Sequence, residues 1–443
     1  MNWLNHDSFA VWGMGVSGIA SANLLARRGK RVIASDTRSL ESLTSVREAL
    51  DPRIELVGGG NVVDSAQVVV ASPGLPPTLE VFKGLNVPVV SEIEIAFDAA
   101  KCRFLAITGT DGKTTTTALT AHILEAAGLK TMAAGNIGTP LCEVVESFGA
   151  ADVIVAEVSA FQLWSTHHFH AEASAFTNIA EDHLDYFSSF DEYVAAKRRL
   201  LSFSTDEDWA ILNMGDAYIR NWGEDFAGTV ATYGLKASDT ENHLWFDGDL
   251  IRRNDEVLWR FEDCQLKGAH NALNMMAATH LALRTGVEMD VIAKAMATFR
   301  PLAHRVEPVK VVGDVAYLDD SKATNAHAAM AGIRSLEGDL VVIAGGVDKG
   351  LDLVPFCEVL RVRAKAVVVI GDIATRLTDG LERAGHTKVV AASTMEEAVQ
   401  MAQKLAAGQG SVLLSPACSS FDMFRSYAHR GDVFQDAVRA LKA

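Results

Sequence analysis

Ile107-Thr108-Gly109-Thr110-Asp111-Gly112-Lys113-Thr114-Thr115 decides the fold class of this chain. The residues before it, Arg103 to Ile107, read as a buried strand, and Thr116 to Ala127 read as a helix, so the glycine turn joins strand to helix in an α/β unit. Such a turn aims backbone N–H groups and a helix N-terminus at an anion. Gly109, Thr110, Asp111 and Gly112 then form a phosphate cradle, Lys113 neutralises β- and γ-phosphate oxygens, and Thr114 or Thr115 offers a hydroxyl to Mg²⁺. The spacing departs from the common P-loop, which carries a further glycine where this chain has Ile107. The stretch therefore predicts an ATP site of a particular P-loop subset; a plain glycine turn ahead of a helix is the alternative.

At 443 residues the chain has room for three domains of about 150 residues each. Hydrophobic residues make up 49% and there are only 10 prolines, which argues for compact structure throughout. Met1 to Phe9 lack a basic start and a long apolar run, and no run of about 18 apolar residues follows, so a cytoplasmic protein without membrane insertion is expected. Cys102, Cys142, Cys264, Cys357 and Cys418 show no CxxC spacing, which favours free thiols in a reducing compartment and disfavours a zinc site. A net charge of -16 disfavours nucleic acid as a partner, and an anionic small ligand would need local cations and helix N-termini.

Three regions follow, at residues 1–98, 99–299 and 300–443. In the first, Phe9 to Trp12 leads into Gly13-Met14-Gly15-Val16-Ser17-Gly18, a helix to Arg28, and the strand Arg31 to Ser35 ending at Asp36. This is a dinucleotide-binding layout, completed by strands at Ile54 to Val57 and Val68 to Ala71 and the turn Ser72-Pro73-Gly74. The glycine turn suits a UDP pyrophosphate as well as a nicotinamide cofactor. The central region continues from the P-loop strand through Val153 to Ala156 and Ala173 to Thr177, adds short strands over Ala210 to Leu266, and ends in a helical stretch from His270 to Thr285. The last region shows apolar strands at Val315 to Leu318, Leu340 to Ala344, Ala366 to Ile370 and Ser411 to Leu414, each followed by a helix, which implies a parallel sheet covered on both faces.

Polar residues gather at strand ends, where open α/β sheets bind ligands. Glu157 closes the run Val153 to Ala156 and is either a magnesium ligand or an exposed carboxylate. His183 stands among Glu181, Asp182 and Asp185, as a second metal ligand or as a surface histidine. Tyr193 and Lys197 share a helix face, where a lysine is ordinarily solvated. Asn271 and Asn274 are spaced to flank an adenine ring or to cap a helix. His304-Arg305 follows the second boundary and brings a guanidinium to phosphate or ribose. Asp319-Asp320-Ser321-Lys322-Ala323-Thr324-Asn325 ends the first strand of the last region. Gly345 to Gly350 and Ser415 to Asp422 repeat that density, so that Lys349 and Ser420 are suited to a small carboxylate and Cys418 to a buried thiol.

Together these strings resemble the muramyl-peptide ligases, ATP-dependent amide-forming enzymes of bacterial cell-wall synthesis. The resemblance rests on Gly109 to Thr115, Gly135-Asn136-Ile137-Gly138, Glu157 to Leu163, His270-Asn271, His304-Arg305, Asp320 to Asn325 and Ser415 to Cys418, and it spans all three regions. It implies three α/β domains: a Rossmann-like N-terminal one, a central P-loop domain with an extra β segment, and a Rossmann-like C-terminal one. It also implies UDP-N-acetylmuramoyl-L-alanine and D-glutamate as substrates, ATP with two Mg²⁺ ions, and a monomer.

By resemblance, Lys113, Thr114 and Thr115 hold phosphates and metal, Glu157 and His183 ligate the ions, and Lys197 carries a carbamate. Asn271, Asn274, Arg305 and Asp320 contact the adenosine or its phosphates. Val16, Ser17, Asp36, Thr37, Arg38 and Gly74 hold UDP, and Asn136 touches the muramoyl portion. Lys322, Thr324, Lys349, Ser420 and Phe421 surround the glutamate and the reacting acyl group, with His304 beside them. Asp111 and Asp319 stand where the family usually or frequently has Asn, Ala160 where Ser is common, and Tyr186-Phe187 where a basic residue often occurs. A folylpolyglutamate synthetase lacks such a first domain and is the weaker match. A nucleotide-binding regulator that has lost turnover needs no second metal site.

Overall fold

Val68-Val69-Val70-Ala71 and Val153-Ile154-Val155-Ala156-Glu157 are buried along their whole length, the pattern of strands covered on both faces by helices. The computed structural model describes residues 2–183, 186–240, 242–300, 302–348 and 353–442. Contacts divide it into two units, Met1–Cys264 with Asn271–Phe299, and Gln265–His270 with Arg300–Ala443.

The first unit carries two sheets. One holds β1 (Ser8–Trp12), β2 (Arg31–Asp36), β3 (Glu55–Gly58), β4 (Val68–Ala71) and β5 (Val89–Ser91), all parallel in the order β3-β2-β1-β4-β5. The other holds β6 (Arg103–Thr108), β7 (Thr131–Gly135), β8 (Val153–Glu157), β9 (Ala173–Phe176), β10 (Trp209–Asn213), β11 (Thr229–Gly234), β12 (His243–Phe246), β13 (Leu250–Arg253) and β14 (Glu256–Arg260). Its order is β14-β13-β12-β11-β10-β9-β6-β8-β7, antiparallel only where β13 joins β12 and β14. In each sheet the first strand lies between two later ones, so the crevice at its C-terminal end opens beside a glycine turn.

The second unit holds β15 (Glu307–Val312), β16 (Asp314–Asp319), β17 (Leu340–Gly345), β18 (Ala366–Ile370), β19 (Val389–Ala391) and β20 (Gln409–Leu414), in the order β15-β16-β20-β17-β18-β19. The sheet is parallel except for β15, an antiparallel edge strand with an irregularity at Pro308. Sequence patterning missed β15 because Pro308 and Lys310 interrupt its apolar run. It therefore took Asp319 for the end of the first strand, whereas Asp319 ends the second. β5 and β19 are three residues long, and β7 lacks a branched apolar run, so they too escaped the pattern. The helix after the phosphate loop begins at Lys113 and not at Thr116, because Gly112 takes φ +81° as its cap. Among the described residues no helix is long and apolar enough to cross a membrane.

Helix Glu92–Ala99 carries the chain from the first sheet to the second, and its carboxylates fasten it there. Glu94 is fully buried; its Oε1 accepts the N–H groups of His167, His168 and Phe169 at 2.9, 3.0 and 2.7 Å, and its Oε2 accepts Trp3 Nε1 at 2.8 Å. Glu92 is less well served. Its Oε1 accepts Cys142 N–H at 2.6 Å, while Oε2 is buried with no partner among the described residues. Burial raises this carboxyl to about 7. The folded state therefore favours the protonated form, and stability falls as pH rises from the unfolded value of about 4.3 through 7. Glu92→Gln should raise the thermal midpoint at pH 8 by several degrees, on the order of 3 kcal/mol for a shift of this size, and change it little at pH 5. Differential scanning fluorimetry at both pH values checks the sign.

Candidate active site

The phosphate loop is shaped by contacts that exclude larger residues. Gly109 takes φ +145°, and a Cβ there would lie 1.9 Å from Thr177 Oγ1; a Cβ on Gly112 would lie 2.3 Å from Asn274 Oδ1. Asn178 grips the loop from both sides, accepting Asp111 N–H at 2.9 Å and donating to Asp111 O at 3.1 Å, while Thr177 Oγ1 donates to the same carbonyl at 2.6 Å. Thr110 Oγ1 lies 3.0 Å from the hydroxyl of buried Tyr193. Thr114 and Thr115 sit in the first turn of the helix that starts at Lys113, both buried. Lys113 Nζ donates to Gly109 O at 3.0 Å and to Thr110 O at 2.6 Å, folded onto the loop it would leave to meet a phosphate. Asn274 also accepts Thr116 Oγ1 at 3.3 Å and donates to Asn271 Oδ1 at 3.2 Å. Both asparagines thus lie within a helix that starts at Ala269, with Asn274 packed on the loop and not capping.

Strand pairing sets Ile107 opposite Glu157, so the carboxylate closes β8 beside the start of the glycine loop. Glu157 is 2% exposed, which removes the exposed strand-end alternative. Its Oε1 accepts Asn136 Nδ2 at 2.8 Å, and its Oε2 is buried without a partner among the described residues. An unpartnered buried carboxylate oxygen is costly unless a cation meets it, so the residues present fit a divalent ion. Lys197 is also 2% exposed and is not a solvated lysine. Its Nζ donates to Gly109 O at 2.6 Å and lies 4.6 Å from the centre of the Tyr193 ring. Burial, and then repulsion from Lys113, holds this ammonium well below the usual lysine range. His183 takes φ +56° with its ring 4.5 Å from that of Phe161.

In the first sheet, Val16, Ser17 and Gly74 line a cavity of about 250 Å³ together with Asn136 and Gln162. Asp36 is turned inward. Its carboxylate accepts Met14 N–H at 2.8 Å and Arg38 N, Nε and NH2 at 2.9, 2.9 and 2.8 Å, and the Arg38 bond holds it far below the ordinary carboxylate range. The groups it leaves at the surface are Thr37 and Arg38. The resemblance put Asp36 among the UDP contacts; in the structure its carboxylate accepts one N–H of the glycine turn, that of Met14, and three N–H groups of Arg38.

In the second unit the loops after β16, β17 and β20 adjoin, since β20 lies between the other two strands. Lys322 N–H donates to His304 O at 3.0 Å, and its ammonium lies 5.6 Å from the Tyr427 ring centre. Thr324 and Phe421 are exposed and Ser420 is buried; Lys349 lies outside the described residues. Asp320 is buried with Ser415 Oγ donating to it at 2.9 Å, and burial lifts its carboxyl to about 7 despite Arg305. Arg305 Nε is buried without a partner among the described residues. Cys418 is buried, and burial pushes its thiol up to about 12, which disfavours the thiolate a nucleophile needs.

Residues 107–282 match the Mur ligase middle domain, and residues 304–418 match the Mur ligase, glutamate ligase domain. A "UDP-N-acetylmuramoylalanine--D-glutamate ligase" of Syntrophotalea carbinolica is 38% identical over 98% of this chain and 97% of its own length. One of the same name from Geotalea uraniireducens is 36% identical over 100% and 99%. This chain belongs to the Mur ligase family. In fold it is similar to a pseudomurein peptide ligase type C from Methanothermus fervidus (TM-score 0.64, 18% identity, 98% of this chain and 100% of that one). It is likewise similar to a UDP-N-acetylmuramate-alanine ligase from Thermotoga maritima (TM-score 0.61, 18% identity, 99% and 100%).

Several residues that shape this Mur ligase site had no distinct signal in the sequence. Asn178 looked like one more polar residue after a strand, and Tyr193 like the helix neighbour of Lys197, until their bonds to the loop were visible. Gln162 carried no signal for the cavity beside Asn136. If the loop geometry governs phosphate binding, Gly109→Ala should weaken ADP at least tenfold in calorimetry while leaving the chain folded by circular dichroism. Undiminished affinity would show that the loop tolerates a Cβ and that the contact with Thr177 is not decisive.

Proposed function

We propose that the chain joins D-glutamate to UDP-N-acetylmuramoyl-L-alanine in an ATP-dependent reaction of peptidoglycan precursor synthesis. The observation that carries this reading is the buried, unpartnered Oε2 of Glu157 beside a glycine loop bearing Lys113, in a chain whose relatives bear that ligase name. Residues 1–98 serve the UDP substrate, 99–299 serve ATP, and 300–443 serve glutamate. Val16, Ser17, Gly74 and Asn136 bind the UDP-sugar in the cavity they share, and Arg38 adds a cation that Asp36 holds in place.

The alanyl carboxylate is a poor electrophile. Its oxygen attacks the γ-phosphorus of ATP, the bond to the β-bridging oxygen breaks, and ADP leaves an acyl phosphate. The amine of glutamate then attacks the acyl carbon, and phosphate departs with the carboxylate oxygen. Lys113 moves from the Gly109 and Thr110 carbonyls to the transferring phosphoryl group, where its charge lowers the barrier most. Thr114, Glu157, His183 and a carbamate on Lys197 would hold two magnesium ions, which neutralise charge on the phosphoryl oxygens. Asn271, Asn274, Arg305 and Asp320 serve the nucleotide. Lys322, with Thr324, Ser420, Phe421 and Lys349, serves the amino acid and the acyl group.

Phosphate release should require ATP, Mg²⁺, UDP-N-acetylmuramoyl-L-alanine and D-glutamate together. Release without an amino acid would remove the ligase assignment, and faster turnover with L-glutamate or D-aspartate would overturn the choice of amino acid.

Lys197 supports its own test. Burial favours the neutral amine, the form that adds CO₂: the nitrogen lone pair forms an N–C bond as one C=O pair moves onto oxygen, one proton leaves the nitrogen, and a neutral amine becomes an anion that a metal attracts. With ¹³C-bicarbonate the wild-type chain should show a carbamate resonance near the carbonyl region that Lys197→Ala lacks. Lys197→Ala should lose at least a hundredfold in rate and recover part of it with added short carboxylates. An identical spectrum in the two proteins would contradict the carbamate.

A further inference from the structure

His304, Glu307 and Asp319 bring three potential metal-binding atoms within 4.8 Å of one another in the second unit. Their hydrogen bonds argue against an ion. His304 Nδ1 lies 2.7 Å from Asp319 Oδ2, His304 N–H donates to Glu307 Oε2 at 2.8 Å, and Gln435 Nε2 donates to Glu307 Oε2 at 3.0 Å and Asp319 Oδ2 at 2.9 Å. The amide orientation is fixed from its other end, since Gln435 Oε1 accepts Arg439 NH2 at 2.7 Å. Ser321 N–H fills Asp319 Oδ1 at 2.9 Å. Protons already sit where a cation would bind.

The same inventory fixes the histidine. Asp319 has no exposed surface, and as a carboxylate it only accepts, so the proton between it and His304 belongs to Nδ1. Nε2 is then the nitrogen with a lone pair, 3.8 Å from Asp432 Oδ1, a carboxylate that is two-thirds exposed. The neighbouring helix makes room for this pair. A Cβ on Gly431 would lie 2.2 Å from His304 Nδ1 and 2.7 Å from Asp319 Oδ2, and the left-handed backbone at His304 (φ +59°) and Val306 (φ +47°) is strain the packing sustains. His304 and Lys322 both flank the Tyr427 ring, 6.4 Å from centre to centre for the histidine and 5.6 Å from the ammonium.

We propose that Asp319, clamped by Gln435, is a positioning residue that holds His304 as the Nδ1–H tautomer, so that Nε2 takes the proton the incoming amino acid must lose. The inference rests on the ligase reading given above. The arriving nitrogen is an ammonium at neutral pH and has no lone pair. Transfer of one proton to Nε2 breaks an N–H bond, leaves the pair on nitrogen to form the C–N bond as phosphate departs, and makes an imidazolium that Asp319 stabilises. Asp432 supplies the charge that draws an ammonium toward Nε2.

Long-range ¹H–¹⁵N correlation on the full chain labelled at histidine reads the tautomer directly, with His304→Gln assigning the signal. Wild type should show Nδ1–H, and Asp319→Leu, which removes the acceptor, should show a mixture or the Nε2–H form. In kinetics, Asp319→Leu should leave the amino-acid-independent half-reaction, followed by isotope exchange within ATP, within about threefold, and slow ligation about a hundredfold, within the span of acid–base contributions. Gln435→Leu, a milder change should Asp319→Leu fail to fold, should show the same split at about tenfold. An Nε2–H tautomer in wild type, or equal losses in the two half-reactions, would overturn the proposal. The tautomer does not depend on turnover, so a wild-type chain that fails to ligate would overturn the ligase reading alone.

Discussion

Two lysine side chains converge on one carbonyl. Lys113 and Lys197 both donate to Gly109 O, at 3.0 and 2.6 Å, in a site that buries Lys197. Two ammonium groups on one acceptor would repel each other, and low polarity sharpens the repulsion, which together with burial favours Lys197 as the neutral amine. A phosphate that drew Lys113 away would relieve the repulsion, and so would the proposed carbamate, which would make Lys197 an anion. Position 109 calls for glycine, because its φ of +145° is one that residues with a Cβ rarely adopt and Thr177 leaves no room for a Cβ.

The rest of the fold serves to bring acids and cations to strand ends at fixed register. Parallel pairing of β6 with β8 puts Glu157 level with Ile107, and pairing of β7 with β8 puts Gly135 opposite Glu157, so that Asn136 reaches its carboxylate. In the second unit β20 lies between β16 and β17, which makes neighbours of loops that are some 95 residues apart in the chain. The C-terminal helix then ties them, with fully buried Arg430 donating to Ser321 Oγ, Ser321 O and Cys418 O at 2.9, 2.8 and 2.9 Å. Each of these placements follows from strand order, which no local stretch of sequence encodes.

That distinction explains what was legible. The phosphate loop, the glycine turn at Gly13 and the apolar strands of all three sheets are local patterns, and the strands they predicted are present. Edge strands were not legible: β15 contains Pro308 and Lys310, and β5 and β19 are too short for a period to register. Among candidate residues, strand-end position was what put Glu157 and Lys322 forward. Burial was not readable, so Lys197 stood open as a solvated lysine and Asp36 was given to a ligand when its oxygens hold Met14 and Arg38. Hydrogen-bond direction was invisible altogether, and with it the roles of Asn178, Gln435 and Arg430.

The central claim is that the chain activates a carboxylate as an acyl phosphate before an amine displaces phosphate. The most direct measurement uses UDP-N-acetylmuramoyl-L-alanine labelled with ¹⁸O in its carboxylate, with mass analysis of the phosphate released during ligation. Attack by the carboxylate on the γ-phosphorus moves one labelled oxygen into each phosphate formed. Labelled phosphate in step with amide product is the predicted result; unlabelled phosphate, with the ¹⁸O retained in the product or lost to water, would contradict the account.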